Sequence, residues 1–364
     1  MHIAFYAPLK SPSHPVPSGD RLMARLLMRA LEEAGHHVEL VSDFRSFTKV
    51  AEEAINIERA AAVEREAVEK RWRSEGAPDL FFCYHPYYKS PDLIGPRLCR
   101  DFHIPYVTAE ASYASKRNDQ GWMRSQSFVA EGLRLAAVNI AFTERDRLGL
   151  TKVVSDDKIR HLPPFIDVSA FRAAMPQPTP GRLITVAMMR DGDKHESYGF
   201  LAEALAEIEG TDWSLVIVGD GPRRADVEKL FSWLHNDRIE WLGEKRADEV
   251  ANELLCSSIY VWPGCAEAYG LAYLEAQAAG LPVVAFRTAG VPAVVDDQRT
   301  GYLVPDRDPL ALANAISELL KNESRRHQMA LEARRFVLCE RSLDKAGTAL
   351  DQVVRKVVED HHGQ

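Results

Sequence analysis

Long apolar runs are missing from this 364-residue sequence. No stretch approaches the ~20 residues that cross a bilayer. The opening MHIAFYAPLKSP has neither the basic start nor the apolar core of a secretory signal, so none is expected. Basic charge is short as well: 45 Lys and Arg stand against 53 Asp and Glu, a net charge of −8, which argues against a general nucleic-acid binder. Cysteine is scarce. Cys83, Cys99, Cys256, Cys265 and Cys339 are odd in number and show no C-x-x-C spacing. Neither a disulfide framework nor a metal site is expected, and a reducing, cytoplasmic compartment fits. There is no fixed-period repeat, no low-complexity segment and no G-x-x-x-x-G-K-[ST], which excludes a P-loop.

What is present is an ordinary balance of 46% apolar and 27% charged residues, on a chain long enough for two cores. Short β-branched and aromatic runs alternate with longer helical patterns. HIAFYA, HHVELVS, DLFFCY, IPYVTAE and AVNIAF read as buried strands, separated by amphipathic stretches such as Asp20 to Ala34 and Val50 to Ser74. The alternation restarts with RLITVAM, WSLVIVG, RIEWLG, IYVWPG and LPVVAF, with helices expected at Tyr198 to Glu209, at Arg223 to His235 and from Pro309 onward. This is the βαβ signature of an α/β protein with parallel sheets covered on both faces. Between the halves lies LPPFIDVSAFRAAMPQPTPG, whose five prolines mark a linker. Two doubly wound domains facing a central cleft are expected, with ligands at the carboxyl ends of the strands.

The window IYVWPGCAEAYGLAYLEAQAAGLPVV runs from strand through loop to helix, stop and strand. Gly264 and Gly270 leave the loop backbone uncrowded for a ligand. Free amides near Gly270 and Leu271, at the helix start, suit a diphosphate. Glu267 precedes the helix and Glu275 lies about one turn inside it; eight residues at helical rise is ~12 Å, roughly the reach from a sugar across a pyrophosphate to a ribose. On spacing alone, a loop charge and a solvated helix face are the favoured explanation of the two carboxylates. The full pattern, E-A-Y-G-L-x-x-L-E-A-x-A-x-G-L-P-V-V-A, resembles the E-x7-E signature of the GT-B glycosyltransferases of family 4.

The resemblance continues upstream. VAMMRDGDKHESYGFLAEAL is similar to the family's strand-end phosphate site, with Arg190 and Lys194 in the places of its two cations; a solvated charged turn is the plainer reading. LVIVGDGPRR is similar to the next strand and turn. Its G-x-G invites a dinucleotide reading, but Arg224 stands where the third glycine would be. TAGVPAVVDDQRTGYLVP is similar to the segment that follows, with Ala289 and Ala293 in place of the usual Gly and Glu, a departure expected to touch the back of the site. PVPSGDRLMARLL resembles the glycine loop over the donor phosphates. Gly19 would supply the close approach, and Ser18 or Asp20 a helix cap. The family's T-x-H pattern is broken: IPYVTAEASY has no His, and Glu110 stands nearest, with His85 of CYHPYYKSP as a second candidate for sugar contact. Arg21, Arg25 and Arg29 form a stripe that reads either as a membrane-facing basic surface or as a solvated face offset by Glu32 and Glu33.

The resemblance implies an N-terminal Rossmann-like acceptor domain over 1–172, a nucleotide-sugar donor domain over 173–345, and a helix over 346–364 packing back on the first domain. It implies a retaining hexosyltransferase that needs neither metal nor other cofactor. Donor-binding residues would be Gly19, Arg190, Lys194, Glu267, Ala268, Tyr269, Gly270, Leu271 and Glu275, with Glu267, Arg190, Lys194 and Glu110 in catalysis. The expected partners are a nucleotide-diphosphate sugar, with UDP or GDP as the base, and a glycan or lipid-linked acceptor at the inner membrane surface, in cell-envelope polysaccharide synthesis. A nucleotide-sugar epimerase or a non-catalytic nucleotide-sugar binder would use the same architecture.

Overall fold

A computed structural model describes residues 1–363 apart from Glu209 and His235, so the expected ends of two helices lie outside the described residues. The chain divides into two compact units. Unit 1 is Met1–Pro163 with Leu343–Gln364, and unit 2 is Pro164–Ser342. The division falls inside LPP, ahead of the boundary expected after 172. Phe165, Ile166, Val168 and Phe171 of the proline-rich stretch are buried, so most of that stretch is packed chain and not a free linker.

Unit 1 holds a six-stranded parallel sheet of β1 (His2–Tyr6), β2 (His37–Leu40), β3 (Leu80–Tyr84), β4 (Tyr106–Ala109), β5 (Val138–Ala141) and β6 (Ile159–His161). The order is β2-β1-β3-β4-β5-β6. Central strands are apolar throughout because helices cover both faces: every residue of LFFCY in β3 is buried. Phe5 stacks on Phe82, and Trp72 meets Phe81 edge to face. The helix Gly19–Glu33 packs on the last helix, Leu343–His362, which returns to this unit. The two approach so closely at Gly347 that a Cβ there would lie 2.9 Å from the Ala30 carbonyl oxygen.

Unit 2 holds β7 (Arg182–Val186), β8 (Ser214–Val218), β9 (Ile239–Gly243), β10 (Ile259–Val261), β11 (Val283–Phe286) and β12 (Gly301–Val304), in the order β12-β11-β10-β7-β8-β9 and again parallel. Two strands were not expected. β6 is a three-residue edge strand whose Arg160 and His161 are exposed, so it carries no apolar run. β12 opens on Gly301, where a Cβ would collide with the Val283 carbonyl at 2.2 Å; the glycine that admits the strand hides it from a β-propensity reading. Chain order reverses between β1 and β3 in unit 1 and between β7 and β10 in unit 2. These switch points are where doubly wound sheets open a crevice at their carboxyl ends.

Candidate functional site

The unit 2 switch point gathers most of the predicted donor residues. β7 leads to Arg190 and to the helix Asp193–Ala206, which carries Lys194 in its first turn. β10 leads to the loop holding Glu267 and to the helix Leu271–Ala278. Lys194 Nζ donates to Glu267 Oε2, with the two side chains 29% and 19% exposed, and the ammonium lies 5.4 Å from the Trp262 ring centroid. The charged turn is thus divided: Asp191 pairs with Arg223, Lys194 with Glu267. Arg190 is exposed, and no hydrogen bond or ion pair engages it among the described residues.

The loop is built from the inside. Gly264 and Gly270 have φ of +72° and +77°, and a Cβ at either would strike Tyr273, at 2.0 Å from its hydroxyl and 2.7 Å from its ring. Tyr273 is buried and donates to the Trp262 carbonyl. These glycines make room for an internal tyrosine, a reason the ligand-approach reading had left out. Cys265 N donates to Ser197 Oγ at 3.0 Å, which ties the loop to the neighbouring helix. Gly270 is the N-cap of Leu271–Ala278 and offers no side chain, so the first-turn amides lack a side-chain acceptor. Ala268 is exposed, whereas Tyr269 and Leu271 are buried. Glu275 is half-buried, no described residue hydrogen-bonds its carboxyl, and burial pushes its pKa up to about 7.

The departure at Ala289 is not remote from this loop. Gly290 N donates to the Glu267 carbonyl at 3.2 Å, and Ala289 itself has φ +44°, the left-handed conformation that glycine adopts freely. Ala293 closes the 3₁₀ turn Val291–Ala293. The G-x-G of the next turn is explained by packing. A Cβ at Gly219 would sit 1.9 Å from the Ala187 carbonyl, and one at Gly221 would sit 2.3 Å from that of Met189. An open cavity of about 310 Å³ in this unit is lined by Arg287, Asp297, Leu303, Phe336 and Arg341, and by none of the predicted donor residues.

Unit 1 brings a second group together at its own switch point. His85 directly follows β3 and Glu110 directly follows β4, with φ of +58° and +54°, a strained conformation for such residues. Their amides donate to Ala109 and Ile140 carbonyls. Tyr84 Oη donates to Glu110 Oε2 at 2.9 Å, and Glu110 Oε1 lies 4.0 Å from His85 Nδ1. Burial pushes Glu110 up to about 7. For His85, burial acts downward, but Glu110 and Asp20 outweigh it and hold the imidazole at about 9. Asp20 accepts from His85 Nδ1 at 3.1 Å, while Ser18 is the residue that caps the helix Gly19–Glu33. Gly19 is exposed with open space around its Cβ position, so nothing in the fold itself demands glycine there.

Sequence reasoning missed Asp20 as a partner of His85, and Asp146 of the helix Glu144–Leu150, whose charge also reaches His85. Asp146 reads as a helix-start carboxylate, and it does bond to the Thr143 cap. Only the third dimension discloses its second role. The arginine stripe is tied within the protein: Arg25 donates to the Pro12 carbonyl, Arg29 pairs with Glu33, and Arg21 donates to the Pro15 carbonyl. No described helix is long and apolar enough to cross a membrane, and no described group of His, Cys, Asp and Glu has the arrangement of a metal site.

The chain is 32% identical over 162 residues to N-acetyl-alpha-D-glucosaminyl L-malate synthase of Bacillus anthracis, covering 44% of this chain and 42% of that one. The matched part therefore spans less than half of that relative. In structure it is similar to sucrose-phosphate synthase of Thermosynechococcus elongatus, with a TM-score of 0.77, 20% identity and 99% of both chains covered. It is also similar to HepE of Anabaena in complex with UDP-glucose, with a TM-score of 0.69, 15% identity, and 98% and 100% covered. Two parallel six-stranded sheets with flanking helices are thus the α/β GT-B fold. The family profile Glycosyl transferases group 1 matches residues 180–322, the core of unit 2 with the donor residues predicted in it. Over that segment, which is less than half of its length, the chain is similar to the glycosyl transferases group 1 family.

Proposed function

We propose that the protein is a retaining glycosyltransferase that moves a hexose-type sugar from a nucleotide-diphosphate sugar to a hydroxyl of a glycan or lipid-linked acceptor. The observation that carries this reading is the Lys194–Glu267 pair at the unit 2 switch point, beside exposed Arg190 and an uncapped helix start. An arriving diphosphate competes for Lys194 and joins Arg190 and the first-turn amides of Leu271–Ala278. Charge that grows on the departing nucleotide is then met by two cations and a helix start. Release of Glu267 from Lys194 frees a carboxylate to accept hydroxyls of the sugar. Glu275 accepts from the ribose; hydroxyl donors favour its charged form, so its pKa falls from about 7 on binding and affinity rises with pH up to neutrality. No covalent nucleophile and no metal enter this scheme. UDP is the favoured base because HepE, of like fold, holds UDP-glucose.

On the acceptor side Glu110 stands nearest to where the T-x-H pattern fails, and His85 comes beside it from the end of another strand. They also form an acid/base pair of the kind an epimerase would need. Incubation with the donor alone separates the readings: a transferase leaves the sugar intact or hydrolyses it slowly, and an epimerase converts it. The direct test of the proposal is a thermal-shift panel of UDP-, GDP- and ADP-sugars with NAD as control. Stabilisation by one class of nucleotide sugar, lost in Arg190→Ala and Lys194→Ala, is the expected result. Stabilisation by NAD alone would overturn it.

A further inference from the structure

The group at the carboxyl ends of β3 and β4 has one feature that the transferase scheme leaves unused. His85 is clasped from several elements. Asp20 reaches it from the helix Gly19–Glu33, Glu110 from the end of β4 and Asp146 from the helix Glu144–Leu150, while Lys10 acts on Asp20 in turn. Burial acts to raise Asp20, yet the hydrogen bond from His85 holds its carboxyl below the usual range. An ionised carboxylate accepts and cannot donate, so the 3.1 Å contact assigns the proton to Nδ1. Nε2 is then the ring's second donor, and no described residue engages it. The ring is 19% exposed, and its centroid lies 5.4 Å from that of the Tyr87 ring. The loop that carries both rings is stitched down by backbone bonds, Tyr87 N to Ser90 O, Ser90 N to Tyr87 O and Thr48 N to Lys89 O. Its geometry is set in advance of any ligand.

We propose that Asp20 is a positioning residue of this centre: it fixes the His85 ring so that Nε2–H is presented as a donor to a neutral sugar hydroxyl, in surroundings too rich in carboxylate to accept a phosphate. Asp20 and Asp146, joined by Glu110 as it ionises near pH 7, offset the imidazolium and Lys10 charges, so a dianion finds little net attraction, whereas a hydroxyl accepts from Nε2 and can donate in turn. Placing that hydroxyl on an acceptor glycan rests on the transferase reading. The fixing of His85 by Asp20 does not.

The test follows the His85 imidazole by NMR in the full chain labelled with ¹³C- and ¹⁵N-histidine, its signals assigned through His85→Gln. The parent should titrate near pH 9 and show a donor proton on Nδ1 throughout. In Asp20→Asn the midpoint should fall by about one pH unit or more, the usual effect of losing an adjacent opposite charge, and Asp20→Glu should restore part of it. Melting curves of each variant report whether it is folded. Inorganic phosphate should leave the His85 signals of the parent in place at millimolar concentration. An unchanged midpoint in folded Asp20→Asn overturns the positioning role, and saturable phosphate shifts overturn the hydroxyl preference. Neither measurement needs a nucleotide sugar, so failure of the donor panel and failure of this inference are told apart.

Discussion

The two units share a parallel six-stranded sheet but differ in strand order and in the charge they collect. Unit 2 follows the 3-2-1-4-5-6 order, counted within the unit, and sets cations and a helix start at its switch point. Unit 1 follows 2-1-3-4-5-6 and sets Asp20, Glu110 and Asp146 around a single histidine. The same architectural rule thus yields opposite electrostatics. A crevice that favours diphosphate needs positive charge and free amides. One that favours hydroxyls needs carboxylates and an apolar ring. Fold decides where the ligand goes, and the side chains at the strand ends decide what it is.

The sharpest way to break this contrast is to damage one unit and leave the other intact. Gly264→Ala forces a Cβ into Tyr273 at a left-handed position, and should cost about 3 kcal/mol or more by denaturant unfolding. If it does not, Tyr273 is not what shapes the donor loop. Arg190→Ala removes an exposed side chain that no described residue hydrogen-bonds, so stability should hold within about 0.5 kcal/mol while turnover falls at least ~10²-fold. Parent turnover in this variant would remove the cationic half of the comparison.

Glu275→Gln should separate stability from function. The folded chain keeps this carboxyl proton up to about pH 7, whereas the unfolded chain loses it in the ordinary range. Below that range Glu275 costs nothing; the cost grows as pH rises through the window and is complete above about 7. Because the carboxyl is half-buried, the cost should be roughly 1–2 kcal/mol, less than the full shift implies. Melting curves of Glu275→Gln should match the parent near pH 4 and exceed it at pH 8, while nucleotide-sugar affinity falls. The smallest effect belongs to Ala289→Gly. Relief of a left-handed alanine, less the added freedom of the unfolded chain, should raise stability by about 0.5–1 kcal/mol. A loss of stability would show that the Ala289 methyl packs more favourably than its backbone suffers.

Much of unit 2 was legible because its chemistry is local. Glu267, Gly270, Leu271 and Glu275 lie within one loop and one helix, and Lys194 lies one turn after a recognisable strand. Strands such as LFFCY and LVIV announced themselves because burial on both faces leaves no place for polar residues. Edge strand β6 and glycine-led β12 did not, since one is half exposed and the other is made possible by a missing side chain. The roles of Gly264 and Gly270 were half legible: the need for glycine was evident, but Tyr273 as its cause was not.

The amino-acid order by itself determined the alternating α/β class and marked the glycine-flanked loop at Glu267 and the cations Arg190 and Lys194, because each depends on residues a few places apart. Only the tertiary structure decided that Lys194 is held by Glu267, that Ala289 bears on the donor loop through Gly290, and that Asp20, His85, Glu110 and Asp146 form one centre. Those four residues come from separate segments, delivered to one edge by parallel strands that all end on the same side. A parallel sheet collects distant carboxyl ends by geometry, and no spacing along the chain records which of them will meet.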